Sequence, residues 1–216
     1  MTPSRTVLAI DVGGTKIAAG VVSAEGKLLR SASVATPRGR DPEAVYTALL
    51  AAVRRAEPAD ALAVGVGCAG PMTPGGETVS PLNIAGWQHF PLLSRLVKQF
   101  DLPVVVDGDA KALAVGEGWQ GAGVGVRNFL AMVVSTGVGG GLVVDGRLLH
   151  GNAGNAGHIG HVVVVPDGAL CGCGSQGCLE AEMSGTAIAR RTGAPAQHAP
   201  VAEVLRAGRL DPKPSA

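Results

Sequence analysis

The chain has 216 residues, 46% hydrophobic and 16% charged, so it is long enough for a sizeable core and is not disordered. A formal net charge of +1 and only two Trp, one Tyr and three Phe argue against a nucleic-acid partner. No apolar run is as long as a membrane span or a signal-peptide core, and most of the four cysteines form one cluster, so we expect a cytoplasmic protein without a membrane partner.

The first half of the chain predicts a mixed α/β fold. It begins with three β-branched strands joined by tight turns, which favours an antiparallel opening. A helix follows, with Asp41 as the N-cap and Pro42 at its first position. The predicted segments are strands 6–10, 17–22 and 28–35, a helix from Asp41 to before Pro58, strand 61–67, a Gly/Pro-rich loop 68–87, helix 91–100 and strand 104–106.

The second half repeats the order strand, glycine turn, strand and hairpin. Asp145-Gly146 is a favoured two-residue hairpin turn. The weak repeat suggests two related lobes, residues 1–107 and 108–216, with a cleft between them. The predicted segments are a helix ending near 119, strand 129–134, a glycine turn 135–141, strands 142–144 and 147–150, and one short helix at 200–207.

A first candidate phosphate site is the turn Asp-Val-Gly-Gly-Thr-Lys that follows the first strand. Gly13 and Gly14 let backbone N–H groups point at an anion, and Thr15 adds a hydroxyl donor. Lys16 could reach a phosphate, and Asp11 is suited to hold Mg²⁺ through water. The alternative is a plain hairpin turn, for which two glycines suffice.

A second candidate phosphate site is the turn predicted at 135–141. Thr136 and Gly137 precede three consecutive glycines that begin at Gly139. Two such turns facing across a cleft would hold the phosphates of a nucleoside triphosphate. Neither is a Walker loop, because no Gly-Lys-Ser/Thr follows the spaced glycines.

Two further residues are candidates for substrate chemistry. Asp109 lies between a strand and a helix, so it is either a helix N-cap or a general base that accepts the proton of an attacking hydroxyl. Asp107 is its competitor two residues away. Asn83 offers the donors and the acceptor that a sugar requires, or else forms a turn.

The cysteines predict a zinc site. His161, Cys171, Cys173 and Cys178 have the pattern H-x9-C-x-C-x4-C, and thiolate and imidazole are the ligands that Zn²⁺ prefers. With four protein ligands the metal would be structural. The alternatives are reduced structural cysteines, or a disulfide with a spare thiol.

Together these motifs resemble the ROK family (repressor, open reading frame, kinase) of actin-like sugar kinases. The resemblance covers about residues 6–190. It is carried by residues 11–16, 83–87, 107–117, 135–141, 157–161, 171–180 and 184–185.

The resemblance implies an actin-like (ribonuclease H-like) two-lobed α/β fold and ATP-dependent phosphorylation of a hexose or amino sugar. It further implies Mg²⁺ with ATP, a structural Zn²⁺ and a homo-oligomer. By position, Asp109 is implied as the catalytic base. The residues implied to contact sugar are Asn83, Asp109, His158, His161 and Glu180; those implied to bind zinc are His161, Cys171, Cys173 and Cys178. Without the resemblance, His158 and Glu180 could equally be surface polar residues.

The chain departs from the family at several positions. Gly108 and Lys111 replace the two asparagines of the family's Asn-Asp-Ala-Asn segment. Most glucokinases of the family have Glu where His158 stands, and His158 with the 135–137 turn resembles the N-acylmannosamine kinase branch. The sugar therefore stays open. Family members continue well past residue 216, so we expect a truncated chain with an incomplete adenosine pocket.

Two alternatives remain. One is a sugar-sensing regulator of the same family, although the first predicted strand leaves no room before it for a helix-turn-helix segment. The other is an inactive remnant that folds around zinc and binds sugar without transferring phosphate.

Overall fold

The computed structural model describes residues 5–193, which form two β-sheets and five α-helices. The strands are β1 (Thr6–Val12), β2 (Lys16–Ser23), β3 (Leu28–Ala35), β4 (Ala61–Cys68), β5 (Val104–Gly108), β6 (Phe129–Val134), β7 (Val138–Val144) and β8 (Arg147–Leu148). The helices are α1 (Pro42–Ala56), α2 (Leu92–Phe100), α3 (Asp109–Gln120), α4 (Leu179–Met183) and α5 (Gly185–Thr192). Short 3₁₀ turns lie at Pro74–Gly76 and Ile159–His161.

The first sheet has the strand order β3-β2-β1-β4-β5. β1, β2 and β3 are antiparallel neighbours, as predicted, whereas β4 and β5 run parallel to β1. The carboxyl ends of β1, β4 and β5 therefore meet at one edge of the sheet, which is where ligands of α/β proteins commonly bind.

Helices α1 and α2 pack their buried apolar residues against this sheet and form one hydrophobic core with it. The N-cap prediction for α1 is confirmed, since Asp41 Oδ1 accepts a hydrogen bond from Glu43 N at 2.9 Å. Arg95 of α2 donates to Glu43 of α1, with Nη2 2.8 Å from Oε2, and the two helices are thereby linked. Between them Trp87 is fully buried and stacks on Phe90, with ring centroids 4.4 Å apart.

The second sheet is an antiparallel meander of β6, β7 and β8. The predicted hairpin turn is confirmed: Asp145 and Gly146 have φ of 51° and 76°, the left-handed pair that a type I′ turn requires. The glycine turn predicted at 135–141 is wrong from Val138 onward, because that part forms strand β7.

Close packing explains why β7 is rich in glycine. A Cβ on Gly139 would lie 2.9 Å from Ala110 Cβ, and one on Gly141 would lie 2.5 Å from Ala114 Cβ. Both alanines belong to α3, so the missing side chains let this helix lie directly on the strand. Gly140 faces away from α3 and meets the carbonyl oxygen of Gly157 in the same close manner.

The helices α4 and α5 are short and carry no periodicity that would predict them. α5 begins at the N-cap Ser184, whose hydroxyl accepts from Ala187 N at 3.1 Å, and it ends at Gly193 with φ 70°. The helix predicted at 200–207 lies outside the described residues. Across residues 5–193, every helix is too short or too polar to cross a lipid bilayer.

Candidate active site

Polar residues of three neighbouring strands meet at the carboxyl edge of the first sheet. Asp11 of β1 is aligned with Gly67 of β4, and Gly67 is aligned with Asp107 of β5. Residues in one row of a parallel sheet point to the same face. Gly67 therefore leaves a gap between two carboxylates on that face.

Asp109 begins helix α3 next to this gap. A Cβ on Gly67 would lie 3.3 Å from Asp109 Cα, so the glycine allows the start of the helix to approach the sheet. The N-cap residue is Gly108, and thus the N-cap alternative for Asp109 is wrong. The Asp109 side chain is exposed, and its Oδ1 accepts from Ala110 N at 2.8 Å.

Asp11 and Asp109 influence each other electrostatically. Desolvation by the surrounding protein raises the pKa of the Asp11 carboxyl, which is only partly exposed. Repulsion from Asp109 raises this pKa further, while the charge of Lys16 lowers it. A divalent cation would relieve that repulsion, and carboxylate oxygens are ligands that Mg²⁺ prefers. The pair therefore fits Mg²⁺, held through Asp11.

Asp107, the competitor of Asp109, is already paired. Its Oδ1 lies 3.5 Å from the Nζ of Lys111, and its Oδ2 lies 3.4 Å from the Nδ1 of His150. The carboxylate of Asp107 is thus engaged by two basic side chains, whereas that of Asp109 is exposed.

The first glycine turn is shorter than predicted, because Asp11 and Lys16 both lie in strands. Gly13 N donates to Lys16 O at 3.1 Å, which closes the turn. A Cβ on Gly14 would lie 2.7 Å from the side chain of Asn83. The structure therefore brings this predicted sugar ligand against the predicted phosphate turn, and Thr15 and Lys16 are exposed beside it.

The second glycine turn consists of residues 135–137. Ser135 N donates to Gly137 O at 2.9 Å, and Thr136 O accepts from the hydroxyl of Thr186 at 2.9 Å. Glu180 lies against this turn: its Oε2 accepts from Val138 N at 2.8 Å, and a Cβ at position 137 would displace this carboxylate. Glu180 was predicted as a sugar ligand, and the structure places it at the phosphate turn.

His158 lies on the segment that leads to the cysteine cluster, and its side chain is partly exposed. Desolvation of the covered part lowers the pKa of the imidazole. The charges of Lys111 and His161 lower this pKa further, and Asp109 raises it by a smaller amount. The ring is near Gly70 of the first half: a Cβ there would lie 3.9 Å from His158 Cε1. His158 therefore faces the loop after β4 as a neutral donor and acceptor.

The four predicted zinc ligands come together. The ligand atoms of His161, Cys171, Cys173 and Cys178 all lie within 4.8 Å of one another. Cys173 Sγ is 3.7 Å from Cys178 Sγ, and Cys171 Sγ is 3.6 Å from His161 Nδ1. With Zn–S bonds of about 2.3 Å, two sulfurs at tetrahedral corners lie about 3.8 Å apart, so the donor set fits Zn²⁺.

Local hydrogen bonds shape the cysteine loop, which comprises residues 171–178. Cys171 N donates to Ser175 O at 2.8 Å, and Gly174 N donates to Cys171 O at 3.0 Å. All four cysteines of the chain are free thiols, which excludes the disulfide alternative in this structure. Hydrogen bonding from the backbone of Ser175 lowers the pKa of the exposed Cys173 thiol to about 7, whereas desolvation and the neighbouring thiols raise the pKa of Cys178 to about 12. A bound cation would favour the thiolate of both cysteines.

The comparison with known families decides the assignment. The sequence model of the ROK family matches residues 7–215. The chain is a member of the ROK family. The glucokinase of Streptomyces coelicolor is 43% identical to it over 184 residues, which is 85% of this chain and 57% of that protein. The N-acetylmannosamine kinase of Escherichia fergusonii is 43% identical over 185 residues, 85% of this chain and 63% of that protein.

Solved ROK structures share the fold. A ROK family glucokinase from Streptomyces griseus, in complex with glucose and AMPPNP, superimposes with a TM-score of 0.79 at 44% identity, over 90% of this chain and 63% of that one. The prediction of an actin-like sugar kinase fold is thereby confirmed. The ROK chain described here spans 57% to 63% of the length of these three relatives.

Sequence reasoning missed two functional features of this ROK site. It did not anticipate that Lys111 is buried at 4% exposure, nor that His150 pairs with Asp107. Lys111 contacts Gly154, and His150 contacts Asp107; in each pair the residues are more than forty positions apart in the sequence. No local sequence pattern predicts such contacts.

Proposed function

We propose that this protein transfers the γ-phosphate of ATP to a hydroxyl of a hexose or an N-acyl amino sugar, with Asp109 as the general base. The observation that carries the proposal is the contrast at the sheet edge: Asp109 is exposed, whereas Asp107 is occupied by Lys111 and His150. Glucokinases and N-acetylmannosamine kinases among the relatives support this reaction class.

The phosphates of ATP would lie between the two glycine turns. Backbone N–H groups at Gly14 and Gly137, with the hydroxyls of Thr15 and Thr136, would supply neutral donors. The N–H of Gly13 is occupied by Lys16 O, so Gly13 shapes the turn. Lys16 would add a positive charge, and Asp11 would hold Mg²⁺, which neutralises phosphate charge. Phosphoryl transfer depends mostly on such positioning and charge stabilisation. Gly139, which was also predicted to bind phosphate, lies within β7, where it is paired with Val133 of β6 and packed against Ala110 of α3.

The sugar would lie between Asn83 and the segment from His158 to His161. Because His161 turns Nδ1 toward Cys171, its Nε2 is the nitrogen left for a sugar hydroxyl. When bound, Zn²⁺ would fix this imidazole and the segment before it. Glu180, at the second turn, accepts from a sugar hydroxyl on the side where phosphate enters. Asp109 then takes the proton of the hydroxyl that attacks the γ-phosphorus.

An activity assay with paired variants tests the proposal. The chain is supplied with ATP, Mg²⁺ and, separately, glucose, N-acetylmannosamine or N-acetylglucosamine, and release of ADP is followed. Asp109→Asn should lower kcat by about 10²- to 10⁴-fold, the usual contribution of a general base. Asp60→Asn, at an exposed turn, is the matched control. Full activity of Asp109→Asn would contradict the assignment of the base.

The two alternatives are separated by binding measurements. Calorimetry with each sugar, without ATP, measures binding alone. Sugar binding without any turnover would favour a sugar-binding protein that does not transfer phosphate. Sugar-sensitive binding of the chain to DNA would favour the regulator, and the proposed kinase binds none.

A further inference from the structure

The side chain of Lys111 is buried at the start of α3, with 6% of its surface exposed. Its Nζ donates to the carbonyl oxygen of Gly154 at 2.6 Å and lies 3.5 Å from Asp107 Oδ1. A buried ammonium is stable only when it is paired and hydrogen-bonded. Lys111 meets this condition by joining two segments that are far apart in the sequence.

One of these segments is the loop 150–158, which follows β8 and ends at His158. The loop is internally ordered, because Ala156 N donates to His150 O at 3.1 Å and His158 N donates to Asn155 O at 3.3 Å. On its far side Gly157, with φ of 87°, packs on the carbonyl oxygen of Gly140 in β7. Gly154 is the position at which the loop is tied to α3.

The other segment carries the proposed base. Lys111 lies two residues after Asp109 in the first turn of α3. Its ammonium therefore fixes the distance between Asp109 and the loop that presents His158. A sugar that contacts both residues binds less tightly when this distance changes, because it can then meet only one of them well.

We propose that Lys111 is a positioning residue that sets the affinity for the sugar by holding the loop 150–158 against α3 through Gly154. The proposal rests on the proposed function in taking Asp109 and His158 as the groups that contact the sugar. It assigns Lys111 no contact with substrate.

A competing role is that Lys111 merely neutralises Asp107. In that case removing both charges together would restore the sugar affinity. If the bond to Gly154 carries the effect, the double variant would regain stability but not sugar affinity. Lys111→Met and the double variant Asp107→Asn with Lys111→Met therefore separate the two roles. Asp107 also pairs with His150 of the loop, so Asp107→Asn alone is the control, because it removes that pair and keeps the bond to Gly154.

The kinetic test compares the two variants with the original chain. Both should raise KM for the sugar by roughly tenfold to a hundredfold, the effect of losing a hydrogen bond from a charged donor, while KM for ATP stays unchanged and kcat falls less than the sugar KM rises. Urea unfolding should place the double variant closer to the original chain than Lys111→Met. Recovery of the original sugar KM in the double variant would overturn the proposal.

Backbone amide hydrogen exchange measures the order of the loop 150–158 directly, without any need for kinase activity. The backbone amides of Ala156 and His158 should exchange faster in both variants, while amides of the distant helix α1 should not. Unchanged exchange in the loop would overturn the proposal even if the kinase activity is found. If the original chain shows no turnover with any sugar, the proposed function fails, and loop exchange still decides whether Lys111 holds the loop.

Discussion

The carboxylate of Glu180 accepts a hydrogen bond from the backbone of Val138, 2.8 Å away, and thereby joins helix α4 to the second glycine turn. The neighbouring Glu182 accepts from Ala169 N at 2.7 Å, just before the cysteine loop. Two acids of one short helix thus connect the start of the proposed metal loop with the turn proposed to bind phosphate.

The Glu180 bond predicts a stability difference between two substitutions. Val138 is 6% exposed, so Glu180→Ala leaves a buried N–H without its partner. We expect a loss of about 1–3 kcal/mol in the free energy of unfolding, measured by urea titration. Glu180→Gln retains an acceptor oxygen and should lose clearly less. Equal stability of the two variants would show that the bond does not hold the turn.

The cysteine loop predicts that Gly177 is required for metal binding. Gly177 has φ of 68°, and a Cβ there would overlap the carbonyl oxygen of Val165. Gly177→Ala should therefore distort the loop and reduce the zinc content of chain purified without chelator, as measured by elemental analysis. Gly172→Ala is the matched control, because a Cβ at 172 meets nothing within 4 Å. Equal zinc content in both variants would contradict the account of the loop.

The glycine run of β7 shows where sequence reasoning reaches its limit. A glycine in a sequence can mean that a Cβ would not fit, but it does not show whether a bound phosphate or a packed helix takes the space. At 139 and 141 the cause is α3, whose Ala110 and Ala114 are close in space but distant in sequence. The zinc cluster, by contrast, could be predicted because its ligands lie within one short segment.

Close packing at β7 predicts a cost for a single methyl group. Gly141→Ala should lower the free energy of unfolding by about 1–3 kcal/mol, the usual cost of overpacking, because α3 must move. Gly65→Ala on β4 adds the same methyl group at a strand position where nothing lies within 4 Å. Thermal unfolding of both variants checks the prediction. A Gly141→Ala variant as stable as Gly65→Ala would contradict the packing.

Repulsion between Asp11 and Asp109 predicts that Asp11→Asn raises the free energy of unfolding, by an amount that depends on pH. Burial and Asp109 raise the pKa of Asp11 above 3.8, so the folded state holds this proton more tightly than the unfolded state does. Protonated Asp11 therefore stabilises the folded state below pH 3.8. This contribution is lost as the pH rises through the pKa that Asp11 has in the folded protein.

Asp11→Asn should therefore be more stable than the original chain at pH 7, and the difference should shrink as the pH approaches 4. Urea unfolding across this range is the measurement, with Asp60→Asn as the exposed control. A variant that loses stability at pH 7 would show that Asp11 is not under repulsion.

The fold was predictable from local patterns, and the charge network at its site was not. Alternating strands and the Asp41 cap gave the correct order of elements in the first sheet. The contacts of Asp107 with His150 and of Lys111 with Gly154 depend on where distant segments meet, so the residues alone left Asp107 as a competitor of Asp109.

The most direct test of the central claim is ³¹P NMR of the folded, zinc-loaded chain with ATP, Mg²⁺ and each sugar of the panel. We predict that the γ-phosphate signal is replaced, for at least one sugar, by a phosphate monoester in equal amount to ADP, and that Asp109→Asn abolishes this product. Inorganic phosphate in place of the monoester, or no product with any sugar, would contradict the claim.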